Sequence, residues 1–231
     1  MKMKVRKAEE RGQVAFEWLQ SAHTFSFGEY HDPNHMGFRV LRVLNDDVIA
    51  PGGGFPLHPH KDMEIITVVL EGTLSHADSL GHEQELKPGE VQYMCAGTGI
   101  RHSEYNASQT EPVHLLQLWI VPPERGLAPR YEQKEAPALP GAVLTPLVGK
   151  DPRAVIQSHQ DMTLYRGALE PGSDFHFPIT SHRGAWIHLF KGSGSINGVE
   201  LKAGDAVALE NENATFSASK EGMQFLLFDL A

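Results

Sequence analysis

The stretch GFPLHPHKDMEIITVVLEG, residues 54–72, places a polar motif directly before an apolar run. His58 and His60 flank a proline, and the Ile and Val residues that follow are numerous enough for a buried strand. Residues i and i+2 of a strand point to the same face, so the two imidazoles project together while Pro59 faces away. A proline within a strand is tolerated at a sheet edge or at an irregular strand start. The stretch therefore predicts a buried strand preceded by an edge segment that presents a polar site.

On both sides of this stretch, turn signals recur at short intervals and enclose short apolar runs. PGGG at 51–54, KPGE at 87–90 and GTG at 97–99 alternate with runs such as FRVLRVL, EVQYM and VHLLQLWIV. Runs of this length fit strands better than helices, and their spacing predicts an all-β sandwich or barrel. A helix is expected only in short pieces, such as residues 8–20.

The two halves of the chain resemble each other. APGGGFPLHPH at 50–60 aligns with EPGSDFHFPIT at 170–180, and ELKPGEVQYM at 85–94 aligns with ELKAGDAVAL at 200–209. Glycine and proline turns can match by chance, but a repeat too long for a solenoid implies two copies of one β domain.

A proline-rich segment separates the two copies. Residues 122–140 contain five prolines, which lack a backbone donor and interrupt regular structure. The sequence therefore predicts an N-terminal domain at 1–121, an extended connector at 122–140 and a C-terminal domain at 141–231.

Composition excludes several classes of function. The formal net charge is −9 and no long basic cluster occurs, so nucleic-acid binding is not expected as the main activity. No apolar run approaches the roughly 20 residues that span a bilayer. Cys95 is the only cysteine, so an internal disulfide is excluded. The basic N-terminus lacks the apolar stretch of a signal peptide, and we expect a cytoplasmic monomer that is not attached to a membrane.

A second motif supplies further metal-ligating side chains. GTGIRHSEYN, residues 97–106, places His102 and Glu104 at positions i and i+2. With His58 and His60 this gives three imidazoles and one carboxylate, a set typical of non-haem Fe(II) sites with open positions. A structural zinc site would more often include thiolates and be closed. The alternative reading is a set of hydrogen-bonded, half-buried histidines near a strand end.

Two spaced motifs carry a resemblance to a known superfamily. G-x5-HPH-x3-E, with Glu64 as its acid, and G-x2-H-x3-N, which ends at Asn106, resemble the two cupin motifs. The amino-acid sequence resembles the pirin family more closely still. The resemblance is dense over residues 18–133 and weaker in the C-terminal half. The matching segments are HTFSF at 23–27, MGF at 36–38, LRVLNDD at 41–47, HPHKDMEI at 58–65, VLEG at 69–72, AGTGIRHSEYN at 96–106 and QLWI at 117–120.

The pirin resemblance implies a fold and a metal site. The fold is a bicupin, with two antiparallel jelly-roll β-barrels that face each other and one metal in the N-terminal domain. The implied ligands are His58, His60, His102 and Glu104. Glu64 is the rival carboxylate, because many other cupins use that position, whereas the acid of HSE at 102–104 is absent from most of them.

The repeat indicates that the second copy lacks these ligands. At an offset of 120 residues, His58 and His60 fall on Pro178 and Thr180, and at an offset of 115, His102 and Glu104 fall on Ser217 and Ser219. His176 and His182 lie nearby without sharing the register. We therefore expect a degenerate, metal-free C-terminal domain.

The resemblance also implies a function. Pirins resemble quercetin 2,3-dioxygenases, which open flavonols with O2 and release carbon monoxide, and Glu104 would then serve as ligand or as base. Fe(II) is the expected ion, with Mn, Co, Ni, Cu and Zn as alternatives. The competing hypothesis is a non-catalytic regulator that acts through a protein partner. His23, Phe25 and Phe27 are candidates to line the substrate pocket, although packing of a strand face explains them equally well.

Overall fold

The computed structural model describes residues 3–139 and 141–231 of the chain. Over these ranges the all-β prediction is confirmed: the elements are strands and one 3-10 turn at Ala8–Glu10, with no α-helix. The helix expected within residues 8–20 is wrong beyond that turn, since Gly12–Ala15 and the residues from Leu19 onward pair as β-strands. The described residues include no helix long and apolar enough to cross a bilayer.

The strands are numbered in chain order. They are β1 (Met3–Arg6), β2 (Gly12–Ala15), β3 (Leu19–His23), β4 (Leu41–Ile49), β5 (Gly54–His60), β6 (Glu64–Glu71), β7 (Leu74–Asp78), β8 (Glu83–Leu86), β9 (Glu90–Cys95), β10 (Ile100–Asn106), β11 (Val113–Ile120), β12 (Arg130–Glu135), β13 (Leu144–Gly149), β14 (Ile156–Gln157), β15 (Met162–Leu169), β16 (Asp174–Phe177), β17 (Gly184–Ile196), β18 (Val199–Lys202), β19 (Ala206–Glu210) and β20 (Ala214–Leu230).

The chain divides into two compact units. One is Gly12–Pro137, and the other comprises the described residues of Met1–Arg11 and Ala138–Ala231. These bounds differ from the predicted ones at two points. Strand β1 pairs with β19 of the second unit, and β12, within the predicted connector, pairs with β9 of the first. Both are pairings of residues distant in sequence, which local composition does not reveal.

The unit Gly12–Pro137 consists of two antiparallel sheets. Its seven-stranded sheet has the order β12-β9-β6-β11-β4-β3-β2, and its four-stranded sheet has the order β5-β10-β7-β8. Strand β5 is an edge strand, as Pro59 predicted, because proline cannot donate to a neighbour on that side. Leucine, isoleucine and valine side chains of both sheets pack in a buried core around Leu74, Val69 and Leu115.

The second unit is a nine-stranded sheet. Its main path is β1-β19-β17-β20-β15-β13-β14, with β16 paired to β20 and β18 paired to β17. All of its pairs are antiparallel except β13 with β14. The core is aromatic as well as aliphatic, and the rings of Phe216 and Phe225 stack with centroids 4.7 Å apart.

Strand pairing refines the comparison of the two copies. Gly54 of β5 pairs with Tyr105, and Asp174, its counterpart 120 residues later, pairs with Ser217. Ser217 therefore occupies the place of Tyr105, and the place of Glu104 is taken by the buried Phe216. The uniform offset of 115 residues assigned Ser219 to that place and was wrong by three residues.

Candidate metal centre

Antiparallel pairing of β5 with β10 brings the predicted histidines together. His58 lies directly opposite His102, and Pro59 lies opposite Arg101. The ring centroids of His58, His60 and His102 are 4.5–4.8 Å apart. One ring nitrogen of each lies within 4.8 Å of those of the other two. Three imidazoles therefore converge on a point at the end of β5.

A change of register next to His102 helps to place Glu104. The pairing of β10 with β5 shifts between His102 and Glu104, where His58 and Phe55 are the respective partners. Irregularities of this kind re-aim side chains and are frequent beside functional sites. The two strands approach closely here, because a Cβ on Gly54 would collide with the Glu104 carbonyl. Glycine is therefore required at position 54.

The Glu104 carboxylate is buried and oriented by two amides. The residue is 2% exposed. Its Oε2 accepts a hydrogen bond of 2.8 Å from Gln117 Nε2, and its Oε1 accepts one of 3.4 Å from Gln92 Nε2. Both donors belong to the seven-stranded sheet, so the carboxylate is held across the interior of the unit. These amide donors orient the carboxylate without neutralising its charge.

In His58 and His102, the hydrogen bonds leave the Nε2 atom without a hydrogen-bond donor within the described part of the chain, so its lone pair can bind a metal. His58 Nδ1 donates to the carbonyl of Pro56 at 2.7 Å, which leaves its Nε2 as an acceptor. His102 is 1% exposed, and its Nε2 has no hydrogen-bond partner among the described residues. A buried polar atom without a partner is rare and calls for an explanation such as a bound ion.

A second set of polar groups lies behind His102. His76 Nδ1 is 3.4 Å from His102 Nδ1, and His76 Nε2 is 3.2 Å from Asp78 Oδ2. When His76 Nε2 donates to Asp78, His76 Nδ1 becomes the acceptor of the His102 Nδ1–H. This fixes the tautomer in which His102 Nε2 carries the lone pair, and metal-binding histidines are commonly held in this way. Tyr131 stacks on His76 and on His82.

Burial and mutual repulsion keep the central imidazoles neutral. Burial, then the neighbouring rings, lower the pKa of His60 to about 4 and that of His102 to about 3. Neutral imidazole is the form that binds a metal. Although burial raises the pKa of Asp78, the hydrogen bonds from His76 and from two backbone amides hold it below the ordinary value.

A cavity of about 450 Å³ opens onto His58, His60 and Glu104. This volume is within the range of small-molecule sites. Aromatic rings form much of its wall: Phe27 packs edge-on against Trp119, with centroids 5.2 Å apart, and Phe16 and Phe55 also line it. Of the pocket residues suggested by the sequence, His23 and Phe27 line the cavity, whereas the buried Phe25 is not in its wall.

Comparison with known proteins places the chain in a family. The model of the Pirin family matches residues 4–120, and that of the quercetinase C-terminal cupin domain matches residues 147–230. The chain belongs to the pirin family. It is 50% identical to quercetin 2,3-dioxygenase of Escherichia coli K12, over 98% of this chain and 97% of that protein. A putative quercetin 2,3-dioxygenase of Pasteurella multocida is 44% identical over 99% of both chains.

Solved pirin structures share the whole fold. The crystal structure of YhhW from Escherichia coli superposes with a TM-score of 0.94 and 49% identity, covering 99% of this chain and 97% of that one. Bacterial pirin YhhW from the same organism has also been solved in complex with nickel(II), with a TM-score of 0.93 and 49% identity. It covers 99% of this pirin and 98% of that chain. The bicupin class expected from the sequence is thereby confirmed, and this pirin is a quercetin 2,3-dioxygenase-like enzyme.

The side chains of this pirin fit a divalent transition metal. Imidazoles and a carboxylate are suitable donors for such an ion, and the His102 ring, whose buried Nε2 has no hydrogen-bond partner among the described residues, lies 4.5–4.8 Å, centroid to centroid, from the other two rings. A second group, His76, His102 and Glu104, also has its ligand atoms within 4.8 Å of one another. His76 is engaged by Asp78, however, while His58 and His60 open onto the cavity. The geometry therefore favours the first group.

The rival carboxylate Glu64 lies elsewhere in this pirin. It is fully buried on β6, where it pairs with Cys95 and Ile120 and interacts electrostatically with Tyr93. The next residue, Ile65, pairs with Trp119 and Met94 and therefore shares the sheet face of Trp119, which lines the cavity. Because successive strand residues point to opposite faces, Glu64 points away from the cavity. Glu64 is not among the residues that line the cavity.

Sequence reasoning missed the polar residues that surround the site. The sequence predicts ordinary strands around Gln92 and Gln117 and a turn at NDD, 45–47, which contains Asn45 and Asp47. The turn prediction is wrong, because β4 runs through these residues, and all four polar side chains are inside the unit. The available signal was a polar side chain within an apolar run, as in VHLLQLWI and EVQYMC. Without the pairing register, this signal cannot be distinguished from the solvent face of a half-buried strand.

Proposed function

We propose that this pirin is a metal-dependent dioxygenase that cleaves flavonols such as quercetin with O2 and releases carbon monoxide. His58, His60, His102 and Glu104 hold one divalent ion in the unit Gly12–Pro137, and the C-terminal unit holds none. The observation that carries the proposal is that His58, His60 and Glu104 line an aromatic cavity of about 450 Å³, with a ring nitrogen of His102 within 4.8 Å of those of His58 and His60. The names of the Escherichia coli and Pasteurella multocida relatives support the same reaction.

The cavity suits a flat substrate with two neighbouring oxygens. Flavonols offer a 3-hydroxy and a 4-keto group, and the cavity-lining rings of Phe27 and Trp119 can pack against the aromatic rings of such a ligand. A bound divalent ion supplies Lewis acidity, which lowers the pKa of a coordinated enol hydroxyl. The aromatic wall excludes water from the substrate.

Glu104 has the position of a proton acceptor as well as that of a ligand. Its carboxylate lines the cavity and accepts hydrogen bonds from Gln92 and Gln117. These amides fix its direction, and an oriented carboxylate can take the proton of the 3-hydroxyl when the substrate binds. The substrate is thereby held as the electron-rich enolate that reacts with O2.

Fe(II) is the ion that we propose, because three imidazoles and one carboxylate with open positions are typical of non-haem iron oxygen chemistry. Mn, Co, Ni, Cu and Zn are the alternatives. The Escherichia coli pirin has been solved with nickel(II). The activity should therefore be assayed with each of these metals in turn.

The proposal is tested by adding quercetin to metal-loaded protein under argon and then admitting O2. We expect the flavonol absorbance to shift on binding and then to decay, with one carbon monoxide released for each flavonol consumed. Luteolin, which differs from quercetin by lacking the 3-hydroxyl, should neither shift nor react. In the His58→Ala variant, both effects should fall by at least about 100-fold, since losing a ligand costs more than the 10–100-fold of an outer neighbour.

The metal content of each sample is measured in parallel. If protein fully loaded with Fe(II), and then with Mn, Co, Ni or Cu, leaves quercetin unchanged, the dioxygenase function is contradicted. Such a result would favour a regulatory protein that acts through a protein partner.

A further inference from the structure

A row of polar side chains crosses the seven-stranded sheet at the level of Glu104. In this row His23 pairs with Asn45, Asn45 with Gln117, and Gln117 with Thr67. Residues paired across an antiparallel sheet project on the same face. Asn45 is therefore one strand, or about 4.8 Å, from Gln117, which in turn holds Glu104.

Two members of this row have buried polar atoms that nothing satisfies. Asn45 is 3% exposed and His23 is 6% exposed. Asn45 Oδ1 and His23 Nδ1 have no hydrogen-bond partner within residues 3–139 and 141–231. Both residues line the cavity that opens onto the histidine cluster. Unsatisfied buried atoms of this kind are rare in folded proteins, and in a cavity wall they indicate a missing ligand.

Asp47 extends the polar surface along β4. It is 2% exposed, lines the same cavity and accepts a hydrogen bond from the Ser21 hydroxyl at Oδ1. No basic side chain of the described residues forms an ion pair with it. Burying a carboxyl without a cation is unfavourable for folding, so its retention in a cavity wall points to a function.

We propose that Asn45 and Asp47 form a subsite that accepts hydrogen bonds from phenolic hydroxyl groups of the substrate, on a ring remote from the metal-binding oxygens. The inference rests on the proposed function for the metal-binding end of the ligand. Acceptors dominate the subsite, so it selects hydroxyl donors. Asp47 and Glu104 together disfavour anionic groups such as carboxylates. The ligand class is a polyhydroxylated flavonol rather than a bare one.

The subsite is tested by equilibrium binding of two flavonols to metal-loaded protein under argon. Quercetin carries ring hydroxyls, whereas 3-hydroxyflavone keeps only the 3-hydroxy and 4-keto pair. We expect the wild-type protein to bind quercetin about 10–100-fold more tightly, as two net hydrogen bonds would give. Asn45→Leu, which keeps the branched shape and the number of heavy atoms but removes both polar ones, should weaken quercetin binding about 10-fold and change 3-hydroxyflavone binding by less than about 2-fold.

Asp47→Asn provides a second variant. It should lose about as much affinity for quercetin as Asn45→Leu does, without a comparable loss for 3-hydroxyflavone. Asp46→Asn is the matched control, because Asp46 lies next along β4 on the other face, where it hydrogen-bonds to His114. It should change neither affinity. Equal affinities of the wild-type protein for both flavonols, or equal losses in Asn45→Leu, would contradict the subsite alone. If neither flavonol binds the wild-type protein, the subsite and the proposed function are both contradicted.

Discussion

Replacing Glu104 with glutamine is expected to lower the affinity for divalent metal by at least about 100-fold, beyond the 10–100-fold range of outer-neighbour losses. The substitution removes a carboxylate that lines the cavity with His58 and His60 and has an oxygen within 4.8 Å of a ring nitrogen of His102. It also replaces an acceptor by an amide that faces the Nε2 groups of Gln92 and Gln117. Competition with a chromophoric chelator measures the affinity directly.

Glu64→Gln is the matched control for this substitution. Both glutamates are buried and both changes conserve volume, but Glu64 lies near Tyr93 and is not part of the cavity wall. Its metal affinity should remain within a few-fold of the wild-type value. If Glu64→Gln loses the metal while Glu104→Gln retains it, the assignment of the carboxylate ligand is reversed.

Asp47→Asn is expected to stabilise the metal-free protein at pH 8. Burial, opposed in part by the Ser21 hydrogen bond, raises the pKa of Asp47 to about 7. Unfolding restores the ordinary pKa of about 3.9, so the folded protein binds more protons than the unfolded chain between these values. The contribution of Asp47 to the free energy of unfolding therefore decreases as the pH rises from about 4 to about 7. Above about pH 7 this contribution no longer changes with pH.

The asparagine variant has no such group, and it can still accept the hydrogen bond of Ser21. Its advantage over the wild-type protein should grow across the same pH interval. Three pKa units at 1.36 kcal/mol each give about 4 kcal/mol at pH 8 as an upper value. Urea unfolding of both proteins at pH 4, 6 and 8 measures the difference. A constant difference across this range would show that Asp47 titrates normally in the folded protein.

The stability and the ligand selectivity predicted for Asp47→Asn connect the fold with function. The wild-type protein keeps a buried carboxyl that weakens its fold, and the proposed subsite explains why, since active sites commonly sacrifice stability. Asp47→Asn should thus gain stability while it loses selectivity for hydroxylated flavonols. A variant with unchanged selectivity and higher stability would leave the carboxyl without a function.

The central histidines could be predicted from their spacing together with the pirin resemblance. HPH and HSE each place two side chains on one strand face, and the pirin resemblance paired the two motifs. The opposition of His58 and His102 across β5 and β10 matches that reasoning. The proline in HPH also predicted an edge strand, because a missing donor has a direct consequence for pairing.

Long-range pairing limited the rest of the prediction. Strand β12 has the charged sequence RYEQKE, which does not read as a strand, but it lies at a sheet edge where charges are tolerated. Strand β1 pairs with β19, about 200 residues away. Likewise, Asn45 and Gln117 become parts of one polar row only through the register of β4 with β11.

The most direct test of the account is anomalous diffraction from crystals of the metal-loaded protein, measured at the absorption edge of the added ion. We predict one peak per chain, with nitrogens of His58, His60 and His102 and an oxygen of Glu104 at about 2.0–2.2 Å, as is usual for such donors. A peak enclosed by His76, His102 and Glu104, or a second peak near His176 or His182, would contradict the proposed centre.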